Sequence, residues 1–423
     1  MFKKNKAFIL IVFIFITSIS FAQINTNSPY SRFGVGDIAR KGFGQNHAMG
    51  GIALGMRSSK YIHYLNPASY SSQDSMSFIF NFGLLGNTTK FKTSDLSHTC
   101  KNINLHHLAI AFPVTKWLNS SIGLVPYSNV GYKIKQVDIL ENIGTVNYFY
   151  NGSGGLQQFY IGNAIKISKN FFVGFNGSYL FGSLNQKISL TFPDNNTLFN
   201  TVTNTKIIIG DFYFTYGIQY TNSYKDKFNY TIGLSLNSER KITARQDILT
   251  QNILSYNESL LIDTLENISG QKSHILIPTK LGIGFAINRS DKIIFGADYY
   301  QQDWSQFTSV GAKDSLVNSN SLHVGLEYTP DLRAFNNYLK RIHYRFGGHY
   351  SNTYLQLKGE QLKDFGISFG VGFPFRNIKT SFNISFELGQ RGTLINNLIK
   401  ENYRFISFSL TLYEFWFFKP KFD

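Results

Sequence analysis

From about residue 75 onward the chain alternates between bulky apolar and small or polar positions. In "KLGIGFAIN" (280–288), Leu281, Ile283, Phe285 and Ile287 fall on one face, while Gly282, Gly284 and Ala286 fall on the other. "DFGISFGVGFP" (364–374) sets Phe365, Ile367, Phe369, Val371 and Phe373 against Gly366, Ser368, Gly370 and Gly372. "TSFNISFELG" (380–389) repeats the pattern with Phe382, Ile384, Phe386 and Leu388. A period of two is a strand with one face in an apolar medium and the other against small or polar groups. Fourteen segments read this way: 75–85, 104–113, 120–135, 155–168, 171–191, 205–221, 228–243, 279–288, 291–303, 321–330, 341–354, 364–374, 379–390 and 402–415. The connections between them alternate in length. "TKWLNS", "SKN", "NSYKDK", "NRS" and "PFRN" are short, with a longer member at 331–340; 86–103, 136–154, 244–278 and 304–320 are long. Short turns on one side and long loops on the other are the habit of outer-membrane barrels, and an even strand count puts both barrel ends on the periplasmic side.

Composition supports that medium being lipid. The chain has 40 Phe and 25 Tyr, and only 16% of its residues are charged, against roughly 25% in soluble domains. No apolar run after residue 22 approaches the ~20 residues of a spanning helix. The expected fold is therefore all-β, a transmembrane antiparallel up-and-down β-barrel of about 14 strands, whose closure satisfies every backbone group that hydrocarbon cannot. Trp117, Trp304 and Trp416 sit at predicted strand ends, where indole favours the membrane–water interface.

The N-terminus reads as an address. "MFKKNK" is a basic n-region, "AFILIVFIFITS" an apolar h-region, and Ser20 and Ala22 suit a cut before Gln23. The expected organisation is a signal peptide (1–22), an N-terminal hatch segment inside the barrel (23–74) and the barrel itself (75–423), with an uncleaved anchor as the alternative for the first part. Losing Lys3, Lys4 and Lys6 takes the formal net charge from +16 to +13, which suits anionic lipid headgroups and lipopolysaccharide. Cys100 is the single cysteine, so no intrachain disulfide forms and small disulfide scaffolds are excluded.

Residues 23–74 fit no strand. They are dense in glycine, including Gly34, Gly36, Gly42, Gly44, Gly50, Gly51 and Gly55, and Pro67 restrains Asn66. Met49, Ile52, Leu54, Met56, Tyr61, Ile62 and Leu65 make the segment too apolar for a solvated tail. The order of "AMGGIALG" (48–55), a spacer, "NPASY" (66–70) and a first strand resembles the long-chain fatty-acid transporter (FadL-like) family of outer-membrane barrels. The matching positions are Gly50, Gly51 and Ala53, then Asn66, Pro67 and Ala68. Barrels of the type IX secretion shuttle resemble the same pattern. The fatty-acid family resemblance implies passive uptake of a hydrophobic molecule, with the early segment as a hatch and an exit through the wall or past the moved hatch.

Alternation puts several ionisable residues on the inner face: Asp211, Asp298, Glu327, His343, Arg345, His349 and Glu387. Pairing through the loops brings Asp298 near Glu327 and sets Glu327 opposite Arg345. The set is either a network that stiffens the wall and holds the hatch, or a ligand site in which Arg345 meets a carboxylate. Pro126, in "LVPYS", removes a ladder donor and marks a candidate wall kink.

Enzyme chemistry finds no support. Nine His occur without a nucleophile or zinc motif around them. His106 and His107 are adjacent on a predicted strand and so are expected on opposite faces. Gly282/Gly284 and Gly370/Gly372 are strand alternation rather than phosphate loops, since no helix follows. No metal or cofactor is expected, and no nucleic-acid partner. Lys90, Lys92 and Lys101 cluster where the first outer loop is expected. The reading is a cell outer membrane channel for hydrophobic compounds such as long-chain fatty acids. The alternative is a structural or secretion-associated barrel that docks an envelope protein partner.

Overall fold

The computed structural model describes residues 26–416 apart from 196, 226, 255–260, 291, 310–315 and 376–378; the expected signal peptide and the "KPKFD" tail lie outside them. The strands are β1 (Asp37–Ile38), β2 (Ser77–Lys92), β3 (Ser97–Pro113), β4 (Leu118–Leu140), β5 (Gly144–Lys166) and β6 (Phe171–Thr191). They continue with β7 (Asn200–Tyr224), β8 (Phe228–Asn237), β9 (Arg240–Ile253), β10 (Leu261–Ile277), β11 (Lys280–Arg289) and β12 (Ile293–Asp303). The last are β13 (Thr308–Ser309), β14 (Asn318–Tyr328), β15 (His343–Leu357), β16 (Glu360–Pro374), β17 (Ser381–Arg391) and β18 (Lys400–Phe415). One short helix, α1 (Gly44–Ala48), precedes the wall.

Fourteen strands, β2–β8, β11, β12 and β14–β18, form a closed antiparallel barrel. The ring closes where β18 pairs β2 from Lys400↔Lys92 to Phe415↔Ser77. Each strand turns bulky residues outward. Leu281, Ile283 and Phe285 of β11 are exposed, as are Phe365, Ile367 and Phe369 of β16 and Phe386 and Leu388 of β17. Together these residues form an outward apolar belt, as outer-membrane barrels carry.

The expected long loops are largely strand. Residues 86–103 hold only a turn at 93–96, and 136–154 a turn at 141–143. The 244–278 connection contains most of β9 and β10. Only Ser238 and Glu239 separate β8 from β9, and only Pro278 and Thr279 separate β10 from β11. The two ribbons therefore kink and run on above the belt, with β9 pairing β7 and β10 pairing β13. Asp211 sits in the wall where β7 changes partner from β8 to β9. Its carboxylate accepts the Thr243 N–H at 2.9 Å, so a side chain supplies the acceptor that the broken ladder lacks.

The outer end of the barrel is packed with apolar side chains. Tyr127, Val130, Leu156, Leu180, Leu184, Ile207, Ile242 and Ile275 from one wall join Leu355, Leu362 and Leu398 from the other in a single buried cluster. Trp304 belongs to it. A 3-10 turn, Trp304–Gln306, folds its indole inward until it is 3% exposed, which corrects its expected place at the membrane interface. Trp117 and Trp416 are exposed at the inner end, and Trp416 stacks on Phe78 at 4.0 Å.

Candidate functional site

Residues 26–74 run inside the ring against its inner face. The inner-face glycines have a physical reason in this contact. A Cβ built on Gly233 would collide with the Leu54 carbonyl, and one on Gly347 with the backbone of Met49 and Gly50. Only glycine lets the two backbones come this close.

The two sequence motifs of the segment are tied to each other and to the wall. Asn66 is fully buried. Its side chain accepts the Ala68 N–H, capping the 3-10 turn that begins at Pro67, and donates to Leu54 O at 2.9 Å and Ile218 O at 3.2 Å. Gln219 of β7 donates to the same Leu54 oxygen at 2.8 Å. Gly50 donates its N–H to Ser368 Oγ at 2.8 Å, and its carbonyl lies 2.6 Å from His323 Nδ1. Gly50 and Gly51 both have positive φ, 69° and 92°, a conformation L side chains resist. Ala53 and Leu54 donate their N–H groups to one oxygen of Asp298, at 2.6 and 2.8 Å.

Asp298 therefore does not share a cluster with Glu327, contrary to the expected pairing. The β12–β14 register sets Asp298 opposite His323 and Glu327 opposite Ile294. Glu327 lies opposite Arg345 on β15. Arg345 Nε donates to it at 2.6 Å, Gln45 Nε2 from α1 at 3.1 Å, and His343 Nδ1 stands 3.3 Å away. Arg345 also donates to Asn383 at 2.6 Å and to the Tyr61 hydroxyl at 3.1 Å. All three nitrogens of this guanidinium thus donate to the wall or to the N-terminal segment.

A second network lies further toward the outer end. Arg40 pairs with Asp364 at 3.2 Å and Glu387 at 3.4 Å. His349 is 3.5 Å from Asp364 and its ring stacks on His323 at 5.7 Å. Arg391 donates to Asp37 at 2.5 Å, Glu401 at 2.8 Å and Ser28 at 2.8 Å. Arg40, Asp37, Asp364, Arg391 and Glu401 escaped the sequence reading. Arg391 shares the alternation face of Glu387, but it and Glu401 fell one residue outside the expected strand limits.

His106 and His107 both face inward, with their Nδ1 atoms 2.9 Å apart. The cause is a β-bulge: the β2–β3 register slips between Gly83 and Leu84, pairing them with His107 and Leu105. Strict alternation fails there. Among the described residues no group of three or more His, Cys, Asp or Glu is arranged to hold a metal.

The wall itself is incomplete at one place. The β3–β4 ladder runs only from Pro113↔Asn119 to Leu108↔Leu124, although β3 continues back to Ser97 and β4 on to Leu140. Pro126 lies two residues past the last pair, in a bulge of the β4–β5 ladder, and has no N–H to give. Above it the N-terminal segment takes the place of β3. Its strand β1 pairs Asp37↔Asn129 and Ile38↔Ser128, and Ala39 donates to Tyr127 O at 3.0 Å. On the other side of the seam, Arg40 O lies 3.0 Å from His106 Nε2. Behind the seam is a cavity of about 300 Å³, reached by Cys100, Asn102, Leu105, Pro126 and Asn129 and lined largely by polar side chains.

The fold is a closed β-barrel of the kind that crosses an outer membrane, with a break in the pairing of its second and third strands that the N-terminal segment spans. The chain belongs to the BamG family, whose model matches residues 1–423. No curated protein matches it in sequence. Its fold is similar to that of the Ralstonia pickettii toluene transporter TbuX, at 13% identity over 88% of this chain and 98% of that one, with a TM-score of 0.58. A Pseudomonas aeruginosa FadL homologue superposes with a TM-score of 0.59 at 11% identity, covering 90% of this chain and 99% of its own. The Pseudomonas putida toluene transporter TodX gives 0.58 at 13% identity, covering 89% and 98%.

Proposed function

We propose that this barrel lies in the outer membrane and passes hydrophobic compounds by a sideways route through the β3–β4 seam. The observation that carries the reading is the ladder that stops at Leu108↔Leu124 with a cavity directly behind it. In this reading residues 26–74 are the hatch. Segment 36–40 is its movable edge, because it is held at the seam by short pairings while Asn66, Asp298 and Gln219 anchor the rest. A compound arrives from the lipid side past Leu105 and Ile103, whose exposed side chains flank the seam. Two substrate classes follow for comparison: long-chain fatty acids, implied by the family resemblance, and small aromatic hydrocarbons, the cargo named for TbuX and TodX. The test is uptake of labelled oleate and labelled toluene by cells lacking the gene and by cells carrying Ile38→Cys with Ser128→Cys in a Cys100→Ser background. These two positions are direct antiparallel neighbours, within disulfide reach. Oxidation is expected to drop uptake to the deletion level and a reductant to restore it. Wild-type rates for both compounds in the deletion strain would remove the uptake reading.

One observation favours a second reading, a docking barrel. Beyond the apolar belt, the wall extensions leave Val137, Ile139, Leu261 and Leu265 exposed, Ile139 at 83%, and the outer end of the tube is filled. A photo-crosslinking residue at Ile139 that captures a defined envelope protein in intact cells, together with unchanged uptake on deletion, selects this reading.

A further inference from the structure

We infer that the outward face of β18, β2 and β3 is a binding site for a phosphorylated glycolipid of the outer leaflet, held by Arg404, Lys101, Lys90, Lys92 and Lys400. The three lysines that cluster in the sequence, Lys90, Lys92 and Lys101, do not lie in a loop. Lys90 and Lys92 end β2, and Lys101 lies in β3. The β18–β2 register adds two more cations, pairing Lys400↔Lys92, Asn402↔Lys90 and Arg404↔Thr88. Thr88 in turn stands opposite Lys101 on β3. Directly opposed residues share a face. Here that face is the outer one, because the intervening Phe91, Asn102 and Tyr403 line the inner cavity.

The patch begins where the apolar belt stops. One register row across β17, β18, β2 and β3 reads Phe386, Ile406, Gly86 and Ile103, and all but the glycine are exposed bulky residues. The next outward row reads Leu388, Arg404, Thr88 and Lys101. Two residues of strand separate the rows, about 7 Å. Lys90 stands one step further up, and Lys92 with Lys400 two steps. The cations therefore continue for about 14 Å beyond the first of them.

The protein does not answer this charge. Among the described residues, none of the five cations forms an ion pair. Four are exposed and Lys400 is half-buried. Glu387 of β17 and Glu401 of β18 turn inward, to Arg40 and Arg391. Asp95, in the turn beyond Lys92, accepts the Ser94 hydroxyl at 2.8 Å. Like charges gathered on one face repel one another, more strongly beside a low-dielectric layer than in open water. An anion seated among them removes that cost.

Position and height select the ligand. The edge of the apolar belt is where lipid phosphates lie, and Lys and Arg make their strong, charge-assisted hydrogen bonds to such groups. A phospholipid with one phosphate meets only Arg404 and Lys101. Lys90, Lys92 and Lys400 stand higher, interleaved with Asn402, Thr99 and Ser97, whose side chains both donate and accept hydrogen bonds. A sugar headgroup with phosphoryl groups at more than one height supplies hydroxyls and negative charge together, while its acyl chains lie on Ile406, Ile103 and Leu388. The inference rests on the proposed placement in an outer membrane and not on uptake. Recovery of the barrel in another cell fraction removes the placement; a barrel in that membrane that binds no glycolipid removes this inference alone.

The experiment titrates the purified full chain, in an uncharged detergent, with lipopolysaccharide, with the same material stripped of its phosphates, and with phosphatidylglycerol, read by microscale thermophoresis. Saturable binding of lipopolysaccharide is expected. It is weakened about fivefold by Lys101→Gln and about a hundredfold by Lys90→Gln, Lys101→Gln and Arg404→Gln together. Lys116→Gln, in the exposed turn at the other end of the barrel, is expected to leave it unchanged. Weaker binding of phosphatidylglycerol supports the glycolipid over a phospholipid of the same leaflet. The inference is overturned if the wild-type chain shows no saturable binding, if the dephosphorylated material or phosphatidylglycerol binds as tightly, or if the triple variant binds within about twofold of wild type. Should the triple variant not fold, Lys101→Gln and the dephosphorylated comparison decide.

Discussion

Arg345 donates through Nε to Glu327 at 2.6 Å, from directly across the β14–β15 pair, with both side chains buried. Nη1 and Nη2 of Arg345 donate to Asn383 and to the Tyr61 hydroxyl. Tyr61 belongs to the N-terminal segment, so the pair joins two wall strands to the chain they enclose. Arg345→Ala strands a buried carboxylate, and about 3–5 kcal/mol of stability is expected to be lost. The thermal midpoint in detergent measures it. Replacing both residues, Arg345→Met with Glu327→Gln, is expected to recover much of the loss, since no unpaired charge then remains. Reduced uptake from Arg345→Ala at a temperature where the barrel is still folded would instead assign it a ligand role.

Asp298 holds main chain, accepting the Ala53 and Leu54 N–H groups. Asp298→Ala leaves the Ala53 and Leu54 amides without their acceptor, at about 1–3 kcal/mol for each stranded donor. Faster hydrogen exchange at residues 50–56, with the wall strands unaltered, is the expected signature. If exchange slows or stays constant there, the carboxylate is not what seats the segment.

Gly233 tests the close approach. Gly233→Val puts a branched side chain where the Leu54 carbonyl lies. Because β-branched residues suit strands, the barrel is expected to form while the N-terminal segment is displaced. A raised protease sensitivity within residues 50–60 at an unchanged detergent-resistant barrel fragment checks this.

Outside the membrane, Asp194 accepts the Thr145 N–H at 3.0 Å, joining the start of β5 to the turn that follows β6. Hydrogen bonds from Thr145 hold this carboxyl below its ordinary value. A carboxyl lowered in the folded state contributes above its unfolded value of about 3.9 and loses that contribution as pH falls through the folded one. Exchange of the Thr145 amide is therefore expected to accelerate below about pH 4 beyond the intrinsic trend, and Asp194→Ala to show the fast rate at neutral pH.

The wall was legible because lipid imposes a rule on it. Where Leu281, Ile283 and Phe285 meet hydrocarbon and Gly282 and Gly284 meet another backbone, each strand must alternate, and the period shows. Above the belt water lies on both sides and the rule lapses. In β10 the run "DTLENISGQKSH" (263–274) is polar on both faces, so two strands read as one long loop. Register slips are equally hidden: nothing in "LHHLA" announces the bulge that turns His106 inward beside His107. The charged positions on the inner face followed from alternation, but their partners did not. Arg40 meets Asp364 across more than three hundred residues of chain, and only closure of the ring brings them together. The seam left one sequence trace, Pro126, since a residue without an N–H cannot extend the ladder.

The apolar packing that joins Leu156, Leu180 and Ile242 to Leu355, Leu362 and Leu398 has an electrical consequence. Among the described residues, hydrocarbon side chains fill the outer end of the tube and oppose a hydrated path along its axis. The purified barrel in a planar bilayer is thus expected to pass little current, so that an envelope could carry many copies without becoming leaky to salts or small polar poisons.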